Sequence, residues 1–202
     1  MEVKDLHSYV ITFDNAVPKD ILKNFQKICA ESKKFDDARV IGKRAFTKKE
    51  LKDDEFDLEK KIRLTKKWEQ NNIGVKSLTE VHWANFLHFT FTHFVNEYCK
   101  VFDFNVQANV EDIQILKYEK GGHYIFHVDS HSIVPRIFSC IFLVNEDYEG
   151  GDLLFKYPNS EIITKIEKKE NRMVVWPSNF LYPHSVTKVE KGTRYSVVAW
   201  AS

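Results

Sequence analysis

From residue 110 onwards the sequence is a succession of short strand-like runs cut apart by turn-forming residues, and that punctuation limits what the chain can fold into. "EDIQILKYE", "HYIFHVD", "RIFSCIFLVN", "GDLLFKY", "EIITKIE", "RMVVWP", "YPHSVTKV" and "TRYSVVAW" are rich in β-branched and aromatic residues, with Gly, Pro, Asn and Asp between them. Eight such runs at close spacing, preceded by helices, predict a closed or two-sheet β-structure braced by helices on one side.

The preceding half supplies the helices. "SYVITFDNAVPKDILKNFQKICAES" opens as a short strand and turns helical at Pro18, with Ile21, Leu22, Phe25, Ile28 and Cys29 on one face. "SLTEVHWANFLHFTFTHFVNEYCKVF" begins with Ser77 and Glu80 in capping-box spacing. Its stripe of Val81, Ala84, Leu87, Phe91, Phe94, Val95, Tyr98 and Phe102 predicts a long helix supporting a sheet. Residues 43–69 mix charges of both signs and read as a solvated segment, and 43–76 is a candidate substrate lid. With 202 residues and no linker or repeat, one domain over 1–202 is expected, with 1–109 the amino-terminal elements and 110–202 the β-core.

Charge and cysteine content exclude more than they assert. Lys plus Arg number 30 against 29 Asp plus Glu, a net +1 that gives no support to a nucleic-acid or membrane-surface binder. Cys29, Cys99 and Cys140 are far apart and form no CxxC pair, which suits a reducing cytoplasm better than a disulfide framework. "MEVKDLHSYV" lacks the apolar run of a signal peptide, and no stretch is long enough to span a bilayer, so the expected location is cytoplasmic.

The chemistry is concentrated in "HYIFHVDS". Ile125, Phe126 and Val128 read as a strand to be covered, yet His127 and Asp129, two apart, point to the same side. Both can reach one ion, and a third ligand is then needed. His131 lies too far along an extended strand, roughly 13 Å from His127, unless the chain turns. His184, in another short strand, can be brought across the interior. Two histidines and a carboxylate form the facial set suited to non-haem Fe(II). Arg194, ten residues further on, alternates with Ser196, Val198 and Trp200 onto one face of the last strand. An arginine in an apolar interior requires an anion, and a carboxylate cosubstrate gripped by Arg194 and Ser196 would serve.

HVD (127–129), GGDLLF (150–155), WPS (176–178), PHSV (183–186) and GTRYSVVAW (192–200) resemble the 2-oxoglutarate/Fe(II)-dependent dioxygenases, and within them the prolyl 4-hydroxylase branch. The resemblance covers roughly residues 110–202. It implies a mainly β fold, a double-stranded β-helix (jelly roll) core with supporting helices and the amino-terminal α/β elements packed on it. It also implies His127, Asp129 and His184 as iron ligands and Arg194 as the partner of the distal 2-oxoglutarate carboxylate. Tyr118 matches a residue near the cosubstrate, and Arg136 and Trp200 match the substrate mouth. Tyr124 aligns with a mouth residue as well, but strict alternation points it away from His127, and only a bulge would bring it round. Where some relatives carry a tyrosine that bonds the 2-oxoglutarate carboxylate, this sequence has Leu143, leaving Ser196 or Tyr118 to supply the donor. Asp129 favours hydroxylation over halogenation, and the lone arginine after His184 argues against the nucleic-acid demethylase branch.

The implied reaction consumes 2-oxoglutarate and O2 at Fe(II), with ascorbate a candidate reductant, and hydroxylates a C–H bond of a peptidyl proline. The alternatives are a hydroxylase of a free amino acid or other small molecule, an inactive metal-binding interaction module, and a zinc hydrolase built on "HVDSH". The last fails on reach and leaves Arg194 unexplained. Gly150 and Gly151 are expected in a turn that needs positive φ, and Cys140 in the core.

Overall fold

The computed structural model describes residues 5–38, 40–41, 56–57, 60–70, 77–130, 132, 135–157, 160–161 and 163–202. A 3-10 turn at Leu6–Tyr9 leads into β1 (Ile11–Asp14), α1 (Lys19–Glu31), β2 (Asp36–Asp37), β3 (Val40–Ile41) and β4 (Phe56–Asp57). β5 (Arg63–Leu64), β6 (Lys66–Glu69) and α2 (Leu78–Val101) follow. The second half runs β7 (Val110–Tyr118), β8 (His123–His127), β9 (Phe138–Leu143), β10 (Glu149–Gly150) and β11 (Leu153–Lys156). It ends with β12 (Ile163–Lys165), β13 (Arg172–Pro177), β14 (His184–Val186), β15 (Val189–Lys191) and β16 (Arg194–Ala201).

Twelve of these strands form two facing sheets, while β3-β4 and β10-β15 are two-stranded sheets of their own. The larger has the order β1-β13-β9-β16-β7-β6-β2 and the smaller β12-β11-β14-β8-β5. The core strands cross between them except at the β11–β12 hairpin, so β13-β9-β16-β7 faces β12-β11-β14-β8 in the jelly-roll arrangement. The sheets meet through Trp176 and His184, whose ring centroids are 5.0 Å apart, and through Phe155 and Trp176 at 5.1 Å.

The pleat sorts side chains into two cores. On β9, Phe138, Cys140 and Phe142 face the helices, while Ile141 and Leu143 face the space between the sheets. On β16, Val197, Ala199 and Ala201 pack toward α1 and α2. Arg194, Ser196, Val198 and Trp200 take the other face, as period-2 alternation demands. Cys140 is 1% exposed, in the core as expected. α2 is anchored by Leu87, Phe91, Val95 and Tyr98, each worth about 1.5–3 kcal/mol when fully buried. Ser77 caps it by accepting from the Glu80 amide at 3.2 Å, while the Glu80 carboxylate turns to Lys34.

Four expectations need correction. Val81, placed in the α2 stripe, is exposed, as is Leu78 in the same first turn. "YPHSVTKV" is two strands, β14 and β15, in different sheets. Ile125 and Val128 are not covered but stand at 47% and 37% exposure. Residues 60–70, read as a solvated segment, contain two strands of the facing sheets. β5 extends the smaller sheet beside β8, and β6 extends the larger beside β7. Thr65, 6% exposed between them, makes the crossing. Its hydroxyl donates to the Lys117 carbonyl at 2.9 Å and its carbonyl accepts from the Ala38 amide at 2.9 Å. The rest of the 43–76 lid, residues 43–55, 58–59 and 71–76, lies outside the described residues.

Candidate metal centre

His127 ends β8 and His184 begins β14, and the antiparallel register sets them directly opposite one another. Their ring centroids are 4.3 Å apart. Asp129 follows two residues beyond His127, just past the strand. Its Oδ1 lies 3.5 Å from His127 Nε2 and its Oδ2 3.4 Å from His184 Nε2. Adjacent ligands sharing one ion at about 2.0–2.2 Å would stand roughly 3 Å apart, so the three are nearly in place. His131 lies outside the described residues.

Both imidazoles are oriented for coordination. His127 Nδ1 donates to the Ile125 carbonyl at 2.8 Å and His184 Nδ1 to the Tyr182 carbonyl at 3.1 Å. A carbonyl only accepts, so each Nδ1 carries the proton and each Nε2 presents its lone pair. Burial pushes His184 down to about 4, opposed by the Asp129 charge, so the ring is neutral at pH 7 and available as a ligand. Burial alone would raise the Asp129 carboxyl, but His184, His127 and the Ser139 hydroxyl together hold it well below the usual carboxylate range. One carboxylate oxygen and two imidazole nitrogens on one side of a point suit a divalent transition metal with open positions, Fe(II) among them.

A cleft of about 1240 Å³ opens from this trio between the sheets, lined by Tyr118, Tyr124, Arg136, Trp176 and Trp200 among others. Arg136 stacks on Trp200 with its guanidinium 3.7 Å from the ring centroid and pairs with Asp112 at 3.3 Å. Asp112 has φ +54°, where the β7–β16 register slips by one residue. Tyr124 does come round to His127. His184 pairs with His127 and Val186 with Tyr124, so β8 carries one residue more than β14 over that stretch. That bulge stacks Tyr124 on His127 with centroids 3.5 Å apart. Arg63 of β5 covers Tyr124, with 4.8 Å between guanidinium and centroid. Sequence reasoning missed Arg63, because it read its segment as solvated.

Arg194 does not line the cleft. It is 0% exposed behind Tyr118, whose ring centroid is 4.9 Å from the guanidinium. Arg194 Nη1 donates to Ser196 Oγ at 2.7 Å, while Nε and Nη2 have no hydrogen-bond partner among the described residues. Burial raises the neighbouring Tyr148 hydroxyl and the Arg194 charge pulls it back. Gly151, at φ +63°, lets the chain pass, since a Cβ there would stand 3.0 Å from Arg194 Cδ. A buried cation with two unpaired nitrogens is the strongest sign of an anionic ligand in this molecule. Ser196, accepting from Arg194, keeps its own proton for the same ligand.

Residues 113–202 match the family model of the 2OG-Fe(II) oxygenase superfamily. That stretch is 90 of the 202 residues and carries His127, Asp129, His184 and Arg194. A Pseudomonas putida prolyl-4-hydroxylase structure gives a TM-score of 0.67 over 95% of this chain and 91% of that one, at 14% identity. A Trichoplax adhaerens prolyl hydroxylase, in complex with a hypoxia inducible factor peptide fragment, gives 0.67 over 95% of this chain and 82% of the other, at 17% identity. Likeness at such identities speaks for the fold. In sequence, a PKHD-type hydroxylase of Crocosphaera subtropica is 31% identical over 99 residues, 46% of this chain and 43% of that protein. The chain thus spans less than half the length of the curated relatives it matches. The matched family's description names Fe(II) and 2-oxoglutarate, and the donor trio and the unpaired Arg194 nitrogens fit both.

Proposed function

We propose that this protein is an Fe(II)- and 2-oxoglutarate-dependent dioxygenase that hydroxylates a residue of a polypeptide, proline first among candidates. The observation that carries the reading is the pairing of an oriented His127–Asp129–His184 trio with a sealed, half-satisfied Arg194 behind it. In this reading Fe(II) is held by His127, Asp129 and His184, and Arg194 with Ser196 holds the far carboxylate of 2-oxoglutarate. The bound metal and cosubstrate supply the oxidation, in which O2 is spent on converting 2-oxoglutarate to succinate and CO2 and on hydroxylating the substrate C–H bond. The chain's own work is to orient and to exclude water. Tyr118 closes the wall over Arg194, and Trp176 and Phe155 pack against His184.

Two features favour a polypeptide over a free amino acid. At about 1240 Å³ the cleft exceeds the roughly 300–1,000 Å³ of small-molecule pockets. Its rim also keeps Ile125 and Val128 exposed, apolar surface that an extended chain can cover. Tyr124, Arg136 and Trp200 are then the residues that meet the substrate beside the metal. The test is succinate formation from 2-oxoglutarate by anaerobically Fe(II)-loaded protein given O2, with and without a proline-rich peptide and with ascorbate as reductant. Iron-dependent succinate that rises with peptide, and peptide that gains 4-hydroxyproline on amino-acid analysis, supports the reading. Stimulation by free amino acids alone moves the substrate to the small-molecule class. Failure to bind either metal or 2-oxoglutarate leaves an interaction module.

A further inference from the structure

The two oxygens of Asp129 are placed almost alike, Oδ1 3.5 Å from His127 Nε2 and Oδ2 3.4 Å from His184 Nε2. Distance to the histidines therefore does not decide which oxygen would bind an ion. What separates them is a bond from the opposite sheet. Ser139 Oγ donates to Asp129 Oδ2 at 2.7 Å, and Ser139 and Ser178 share a further 2.7 Å contact. An ionised carboxylate only accepts and a hydroxyl carries one proton, so the direction is fixed: Ser178 donates to Ser139, and Ser139 to Asp129. Both serines are 1% exposed.

Their positions make the relay rigid. Ser139 lies on β9, bonded into the sheet on both sides, opposite Trp176 of β13 and Trp200 of β16. Ser178 follows β13, and its amide donates to the Ile137 carbonyl at 2.9 Å. Asp129, by contrast, stands beyond the end of β8 with no ladder of its own. The backbone after it is tied to the same corner, since the Ser130 amide donates to the Ser178 carbonyl at 3.1 Å and Ser130 Oγ accepts from the Arg136 amide at 3.0 Å. The carboxylate of the smaller sheet is thus aimed by the larger one.

We infer that Ser139, backed by Ser178, is a positioning residue that makes Asp129 a one-oxygen ligand. It holds Oδ2 away and leaves Oδ1 for the metal. This rests on the proposal that the trio binds a divalent metal. A carboxylate freed from Ser139 can turn both oxygens to the ion and take up a position that a chelating cosubstrate needs. Loss of the hydroxyl therefore weakens 2-oxoglutarate more than it weakens the metal.

The experiment compares the intact chain with Ser139→Ala, Ser139→Thr and Ser178→Ala, all loaded with Co(II). Metal affinity, the Co(II) visible absorption spectrum and anaerobic 2-oxoglutarate affinity are measured on each. The expected result for Ser139→Ala is Co(II) affinity within about threefold of the intact chain, an altered spectrum, and 2-oxoglutarate affinity down tenfold or more. Ser139→Thr restores both readouts, and Ser178→Ala shifts them in the same direction by less. Should Ser139→Ala not fold, Ser178→Ala carries the comparison. An unchanged spectrum and 2-oxoglutarate affinity in the folded alanine variants overturn the inference. So does a parallel fall of metal affinity, cosubstrate affinity and melting temperature, which a merely structural serine would give. An intact chain that binds Co(II) but not 2-oxoglutarate sinks the dioxygenase reading alone, and the spectra still decide the role of Ser139. One that binds no Co(II) overturns both.

Discussion

Replacing Arg194 by methionine should make the protein more stable and less able to bind its cosubstrate, and the two effects have one cause. Without ligand, Arg194 is fully buried, with Nη1 donating to Ser196 Oγ, the Tyr148 hydroxyl beside it, and one ring face, Tyr118. Its Nε and Nη2, three N–H donors between them, are unpaired among the described residues. Replacing imperfectly satisfied buried ions by apolar groups of similar volume has stabilised proteins by about 1–4 kcal/mol. The lower half of that range applies here, because methionine is the smaller side chain and Ser196 loses its donor. At about 2–4 °C per kcal/mol for a chain of this size, the melting temperature should rise by about 2–8 °C. With ligand the sign reverses. Losing one partner of a buried, hydrogen-bonded charge pair costs about 2–5 kcal/mol, which is roughly thirtyfold to several-thousandfold in affinity. Differential scanning fluorimetry of the metal-free chain and anaerobic calorimetric titration of 2-oxoglutarate into Mn(II)-loaded protein read the two quantities separately. A lower melting temperature with unchanged 2-oxoglutarate affinity would refute the reasoning, since Arg194 would then be paired within the fold and not waiting for an anion.

Other outcomes follow from the same geometry. Gly150→Ala should cost about 3–5 kcal/mol by denaturant titration, since the residue has φ +70° and a Cβ would stand 2.1 Å from the Lys188 carbonyl oxygen. Gly121→Ala, at φ +84° with open space around it, should cost only about 1–2 kcal/mol. Thr65→Val should lower stability by about 0.5–1.5 kcal/mol, because it removes the hydroxyl's bond to the Lys117 carbonyl where the chain crosses between sheets, and hydrogen exchange should quicken in β5 and β6 first. Bonds from Arg172 and Lys169 hold Asp14 well below its ordinary 3.8, so its stabilisation is complete above that value and is lost as pH falls beneath it. Asp14→Asn should therefore lower stability at pH 7 and flatten the decline below pH ~4, as pH-dependent melting would show. Burial pushes Cys29 to about 12 and raises Cys99 and Cys140, so native protein should react with a thiol reagent only at its unfolding rate.

The sequence by itself determined the succession of strand runs along the chain and singled out the three donor residues that come together. Strand runs and their turns are local features, and alternation along β16 alone put Arg194 and Ser196 inward. The same local logic misled at residues 60–70. Lys66, Lys67 and Glu69 suit a solvated segment and a half-exposed strand near the sheet margin equally well, and in β6 Lys66 and Lys67 sit opposite Asp37 and Asp36 of the two-residue β2. Only strand pairing shows that Arg63 belongs to the mouth of the cleft and that Thr65 carries the crossing between the sheets. Tertiary structure also decided the bulge that turns Tyr124 onto His127, an extra residue defined by register against β14 nearly 60 positions away. It decided the exposure of Ile125 and Val128, apolar residues that a periodic reading buries and that the cleft instead leaves on its rim. Ser139 and Ser178 carry no signal in sequence, since a serine in a strand and a serine after a proline are unremarkable alone. What they do depends on which carboxylate the facing sheet brings within hydrogen-bond reach, and no local pattern encodes that distance.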